Sequence, residues 1–199
     1  VATSSNSFSE TFSHPDLVDK ASALVLDLIE KGQQTPIVLV DGRSASGKST
    51  FAAALQNRLF QLGESAPRVI HMDSLYNGWS GLQDGHDYLL RFILTNVRAG
   101  KRANWQEFDW AAGARTGPWR EFEGGTALIV EGCGALSSAT AEFAQLTIWL
   151  ETDAAIRKQR WDAREPTSHE EFWPVWAAQE EEFYAREKSA EIADLIGIS

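Results

Sequence analysis

Four short apolar runs stand out against a background of apolar residues at helical spacing. They are Ile37–Val40, Val69–Met72, Ala127–Val130 and Leu146–Leu150, each bounded by polar or turn residues and followed by an acid. Runs of this length with no alternation read as strands buried on both faces, the pattern of a parallel sheet. A last apolar segment, Ile192 to Ile198, predicts a fifth strand at a sheet edge. Between the runs, Leu17, Ala21, Leu24, Val25, Leu28 and Ile29 recur at helical spacing, after Ser13 as a candidate N-cap and Pro15 in the first turn. Phe51–Leu62, Asp87–Arg98 and Asp153–Arg164 read as further helices, and Gly32, Gly63 and Gly100 mark stops. A long final helix starts either at a Ser168-x-x-Glu171 capping box or at Pro174. Residues 101–123 read as a short strand pair or an aromatic loop, and residues 1–13 as a flexible arm. Strands alternating with helices predict a three-layer α/β/α domain spanning 1–199, with a mostly parallel five-stranded sheet.

Behind the first run lies Gly42-Arg43-Ser44-Ala45-Ser46-Gly47-Lys48-Ser49-Thr50, a G-x-x-x-x-G-K-S phosphate-binding loop between strand and helix. Gly42 and Gly47 allow the tight turn that aims successive amide N–H groups at phosphate oxygens. Lys48 reaches the outer phosphates, the Ser49 hydroxyl suits a magnesium ion, and the helix presents its N-terminus to the anion. The strand–loop–helix setting predicts a P-loop NTPase fold that binds ATP with Mg2+.

Composition narrows the partners. With 18 basic and 28 acidic residues the net charge is −10, and no basic run exists, which argues against nucleic acid and anionic membranes. Cys133 is the single cysteine, so a disulfide framework is excluded. No apolar stretch approaches transmembrane length, and the Ser-rich start lacks a signal-peptide core, so a cytoplasmic location is expected. A homo-oligomer is compatible with the chain.

The acids at the strand ends, Asp41, Asp73, Glu131 and Glu151, fall where open α/β sheets bind ligands. Clustered carboxylates call for cations among them, which Lys48 and magnesium supply. Glu131 fits the acid that holds the metal with Ser49, and Asp73 fits a base for an acceptor hydroxyl. Glu151 reads as a solvated strand end. Arg157, Arg160 and Arg164 lie at i, i+3 and i+7 on one helix face, either as a lid (157–170) over the phosphates or as a solvated face paired with Asp153 or Glu165. Trp79, Trp110 and Trp119 sit beside glycines in loops, placed either to stack on a flat ligand or to cap a small core. Trp149, Phe172, Trp176 and Phe183 read as packing, and His71 as structural.

In order and spacing, residues 36–198 resemble the uridine kinase family of P-loop nucleoside and small-metabolite kinases. The loop at 42–50 matches that family's version. Asp73-Ser74-Leu75-Tyr76 is similar to its Asp-Ser-Phe-Tyr segment, whose Asp is the base and whose Tyr lies near the acceptor. Phe108-Asp109-Trp110 with Arg115 resembles its acceptor-contacting segment, Ile129-Val130-Glu131-Gly132 its metal-holding end, and Thr152-Asp153 with Arg157 and Arg160 the start of its lid. Two departures are plain: Gly113 or Ala114 stands where the family has His, and Arg164-Glu165-Pro166 replaces its Arg-Gly-Arg. The resemblance implies an ATP-dependent, magnesium-requiring kinase. Its acceptor would be a small hydroxyl compound, a nucleoside or another metabolite, held by Asp73, Tyr76, Trp79, Asp109 and Arg115. Two rivals remain: a nucleotide-hydrolysing switch or chaperone-type NTPase, although no Asn/Thr-Lys-x-Asp guanine signature occurs, and a binding protein that has lost catalysis.

Overall fold

The computed structural model describes residues 10–164 and 170–198. The chain opens with β1 (Glu10–Ser13), α1 (His14–Glu30), β2 (Ile37–Asp41), α2 (Lys48–Gln61) and β3 (Arg68–His71). A helical stretch follows as α3 (Leu82–Tyr88), a π-helical turn (Leu89–Leu94) and α4 (Thr95–Arg98). Strands β4 (Ala103–Gln106) and β5 (Trp119–Phe122) then form an antiparallel hairpin. The remaining elements are β6 (Leu128–Glu131), α5 (Ser138–Ala141), β7 (Leu146–Glu151), α6 (Ala154–Arg164), α7 (Trp173–Glu187), α8 (Ser189–Ile192) and β8 (Leu195–Ile198).

The central sheet has six strands in the order β1-β8-β7-β2-β6-β3, and every neighbouring pair is parallel. Alternate residues of its strands feed two cores. On one face Val38, Val40, Ile129 and Ile148 pack under α1 (Leu17, Ala21, Val25) and α2 (Phe51, Leu55, Leu59). On the other, Leu39, Val130 and Trp149 pack under the helical stretch 82–98, the hairpin and α7, through Leu89, Trp105, Phe183 and Tyr184. Three α/β/α layers result, as the pattern of apolar runs predicts.

The strand count differs from the expected five. Glu10–Ser13, placed by the sequence in a flexible arm, pairs with Leu195–Ile198, so the last strand has a partner on each side and is not the edge. Thr11, Ser9 and their neighbours alternate without an apolar run, which hides an outer strand from pattern reading. The rest of the expected arm (1–9), the break expected at Glu165-Pro166-Thr167 and the Ser168 cap lie outside the described residues. Ser13 does precede α1, but its hydroxyl donates to Asp16 Oδ2 at 2.5 Å rather than accepting a backbone N–H. The helix expected at 87–98 starts earlier, at Leu82, and carries the π-helical turn.

Leu55 is fully buried between α2 and the sheet, whereas Leu62 at the end of α2 is 43% exposed. Leu55→Ala should lower the unfolding free energy in urea by about 2–5 kcal/mol, and Leu62→Ala by at most about 0.5 kcal/mol.

Candidate active site

The phosphate loop is built from residues that tolerate its turns. Gly42 has φ 149°, and a Cβ there would lie 2.5 Å from the Leu150 carbonyl oxygen, so only glycine fits. Ala45 (φ 63°) and Gly47 (φ 94°) are left-handed, and such alternation with right-handed neighbours gathers N–H groups into an anion-binding nest. The loop opens directly into α2, whose N-terminal dipole faces the same space. Lys48 is buried, its ammonium donating to the Arg43 carbonyl at 2.9 Å. Burial pulls its pKa down, but the acidic groups around it, among them Glu131, Glu180 and Asp41, more than offset that and hold it above the ordinary lysine value.

The four strand-end acids have parted ways. Asp41 is fully buried and structural. Its carboxylate accepts from the N–H groups of Gly42 (2.7 Å), Gly134 (3.1 Å) and Leu136 (2.8 Å) and from the Tyr184 hydroxyl (2.7 Å). Burial pushes its pKa up to about 6 against the pull of these donors. Glu131 is buried, and its Oε1 accepts the Ser49 hydroxyl at 3.0 Å and lies 2.5 Å from His71 Nδ1. The hydrogen bond to Glu131 raises the His71 pKa, with desolvation opposing it. Asp73 lines the cleft described below. Glu151 is exposed and accepts the Trp149 indole N–H at 2.8 Å, away from that cleft.

Helices α6 and α7 brace the loop. Arg157 Nη1 donates to the Ser44 carbonyl (3.4 Å) and its Nε to that of Thr152 (3.2 Å), while Arg160 Nη1 donates to the Ala45 carbonyl (3.3 Å). The side chain of Arg164 lies outside the described residues. From α7, Glu180 accepts the Ser44 N–H at 2.6 Å, and Glu181 pairs with Arg43 at 2.8 Å. Gln179 of the same helix donates to the Trp79 carbonyl at 2.7 Å and accepts from the Leu82 N–H at 3.2 Å, fastening the loop before α3.

One cleft of about 340 Å³ joins these parts. Ser44, Ala45, Gly47, Lys48 and Ser49 line its phosphate end. Tyr76, Trp79, Trp110, Trp161 and Trp176 line the other, with Asp73 and Glu131 also on the wall. Trp79 is the centre of the aromatic group: it stacks on Phe172 (4.7 Å, 3°) and meets Trp110 at 5.0 Å and Trp161 at 6.1 Å. Trp176 sets its edge to Tyr76 at 4.6 Å. The Tyr76 hydroxyl is spent on the Cys133 carbonyl (2.9 Å), so its ring faces the ligand space as a wall. Burial pushes the neighbouring Cys133 thiol up to about 12, so it is a protonated donor and no nucleophile.

Not every expected acceptor residue reaches the cleft. Asp109 accepts the N–H groups of Ala111 and Ala112 at 3.0 Å each, shaping its own turn. The Arg115 guanidinium donates to the carbonyls of Leu75 (2.9 Å) and Gln106 (3.1 Å) and lies 3.7 Å from the Tyr88 ring centre, clamping the hairpin to the loop after β3. Trp119 is on β5 and 68% exposed. Sequence reasoning missed His71 beside Glu131, Trp161 on the lid, and Glu180. Trp176, read as packing, does pack but also lines the cleft. Trp161 follows Arg160 directly, and helical spacing from the arginine face was the signal available for it. Nothing in the Glu180-Glu181-Glu182 run separates a buried acid from solvated ones.

Two described residues at the phosphate end suit a hard cation. The Ser49 hydroxyl and Glu131 carboxylate are adjacent oxygen donors at the phosphate end, the small protein share magnesium usually takes. Among the described residues no group of three or more His, Cys, Asp or Glu side chains is placed to hold a metal ion. No helix among them is long and apolar enough to cross a membrane.

The Asp41 geometry has a pH signature. A folded pKa near 6 against 3.8 in the unfolded chain means that the native state binds the proton more tightly. The associated stability is present below about pH 4 and lost as pH rises through 6, roughly 2–3 kcal/mol in all. The stability difference between wild type and Asp41→Asn should therefore shift in favour of wild type by that amount as pH falls from 7 to 4, read from urea unfolding at each pH.

No family model matches the chain, and no curated protein matches its sequence significantly. Solved structures do match its fold. A possible uridine kinase from Bacillus stearothermophilus superposes with TM-score 0.65 at 18% identity, over 92% of this chain and 98% of that one. D-glycerate 3-kinase from Cryptococcus neoformans superposes with TM-score 0.56 at 11% identity, over 92% and 94%. At these identities the likeness shows the fold: the chain has the mostly parallel α/β architecture that P-loop kinases share.

Proposed function

We propose that the chain is an ATP-dependent, magnesium-requiring phosphotransferase that moves the γ-phosphoryl group of ATP to a hydroxyl of a small acceptor. The observation that carries this reading is the continuity of the cleft: a phosphate loop at one end, an aromatic chamber at the other, and the Asp73 carboxylate on the shared wall. The descriptions of the fold's neighbours, a possible uridine kinase and a D-glycerate 3-kinase, agree with it.

The loop amides and Lys48 hold the β- and γ-phosphates, while Arg157 and Arg160, outside the cleft lining, brace the loop through the carbonyls of Ser44 and Ala45. Ser49 and Glu131 would hold magnesium, which would neutralise charge on the phosphates. His71 fixes the Glu131 carboxylate in place. Asp73 takes the proton of the acceptor hydroxyl as its oxygen bonds to the γ-phosphorus. The bond from that phosphorus to the β–γ bridging oxygen breaks, and ADP leaves with the electron pair.

The chamber also speaks to the acceptor. Its walls are π-faces and carboxylates, and Lys48 is the one Lys or Arg among the described residues lining the cleft. An uncharged acceptor with a flat or CH-rich face suits such walls better than an acid does.

ADP release measured with a panel of nucleosides, sugars, vitamin precursors and their acidic counterparts tests the reading. Acceptor-dependent ADP formation is expected, with the uncharged members ahead; hydrolysis indifferent to every acceptor would instead mark a switch-type NTPase. Asp73→Asn should cut turnover by about 10²–10⁴-fold while leaving ATP affinity within about twofold, and unchanged turnover would remove Asp73 as the base. Trp79→Ala should raise the acceptor KM and leave the ATP KM unaltered, as steady-state kinetics in both substrates would show.

A further inference from the structure

Helix α7 touches the phosphate loop through a carboxylate that the transfer reaction leaves unused. Glu180 is 1% exposed. Its Oε1 accepts the Ser44 N–H at 2.6 Å, the Trp176 indole N–H at 3.1 Å and the Cys133 thiol at 3.2 Å, and its Oε2 lies 4.0 Å from Arg157 Nη1. These partners belong to four parts of the site: the loop, the aromatic wall, the turn after β6 and the lid helix. A buried carboxylate is costly unless its lone pairs are met, and here the groups that meet them are parts of the cleft itself.

The placement contains a conflict. Ser44 and Lys48 belong to a loop built to hold several negative charges, yet a carboxylate already sits on the Ser44 N–H of that loop. Like charges at such range in a poorly solvated interior repel strongly. Glu180 also competes for Arg157, whose guanidinium is shared between this carboxylate and the Ser44 carbonyl.

We propose that Glu180 is a positioning residue that limits the grip of the phosphate loop on polyphosphate: it sets the loop's shape through Ser44 and draws Arg157 toward α7, and its charge opposes the bound phosphates. The benefit is release of ADP after transfer. The inference rests on the nucleotide-binding part of the function proposed above.

Shape and charge separate cleanly in Glu180→Gln, which retains an acceptor oxygen for the Ser44 N–H and nearly the same volume. Titrations of ATP and ADP with magnesium, by calorimetry, should show tighter binding in this variant, by about tenfold for ATP and by less for ADP, with a lower kcat as product release slows. A purely structural role predicts the opposite sign, a loosened loop that binds both nucleotides more weakly. Unchanged or weaker ATP binding in the folded variant overturns the proposal. Should Glu180→Gln not fold, Trp176→Phe takes its place: it keeps a ring in the wall and removes one donor from the carboxylate. Its charge then acts less shielded, so ATP should bind about two- to threefold more weakly and ADP be affected less; an equal change for both, or none, overturns the proposal. Wild-type protein that binds neither nucleotide would refute the nucleotide site itself, and the inference with it. Wild-type binding with a flat response in the variants would sink the inference alone.

Discussion

The buried carboxylate of Asp41 is the constraint on which the site rests. It ends β2 inside the protein, where an acid is tolerated only if donors surround it. Those donors come from the first residue of the phosphate loop, from the turn after β6 and from Tyr184 on α7. One side chain thereby sets the distances among three segments far apart in sequence. Gly42 has no freedom to move in response, because the Leu150 carbonyl occupies the space a Cβ would need. The phosphate loop is held from below before any ligand approaches it.

Helix α7 carries this support outward. Residues 179–181 and 184 face the loop and the acceptor wall in turn, so Gln179 secures the Trp79 segment, Glu180 the Ser44 amide, Glu181 the Arg43 side chain and Tyr184 the Asp41 carboxylate. Both ends of the cleft are thus referred to one rigid element. A shift of that helix would reach the phosphate end and the aromatic end together, which suits a reaction whose two substrates must meet in line.

Much of the fold was legible in the chain because buried parallel strands write themselves as uninterrupted apolar runs. Ile37–Val40, Ala127–Val130 and Leu146–Leu150 are central strands, and each was visible for that reason. β1 was not, since an outer strand whose one side is open needs no such run, and what holds it is the register with Leu195–Ile198. The π-helical turn at Leu89–Leu94 was equally hidden, because the same apolar residues serve a helix of either pitch. In the site, local motifs were readable and distant pairings were not. The loop at 42–50 carries its geometry in consecutive residues. That Asp41 would turn inward, that His71 would meet Glu131, or that Arg115 would clamp backbone carbonyls are facts about segments brought together by folding, and no spacing along the chain encodes them.

The pairing of β1 with β8 joins two segments that lie far apart in the chain. Nearly the whole described chain lies between these two strands, so their contact closes the longest loop in the sheet. In the sheet β1 therefore has no neighbour until β8 is in place. Without that pairing β8's outer edge and Phe12, which packs against the core under α1 and α2, lack their covering. Loop-closure entropy makes this seam a costly contact to form, whereas the phosphate loop follows β2, which has a strand on each side.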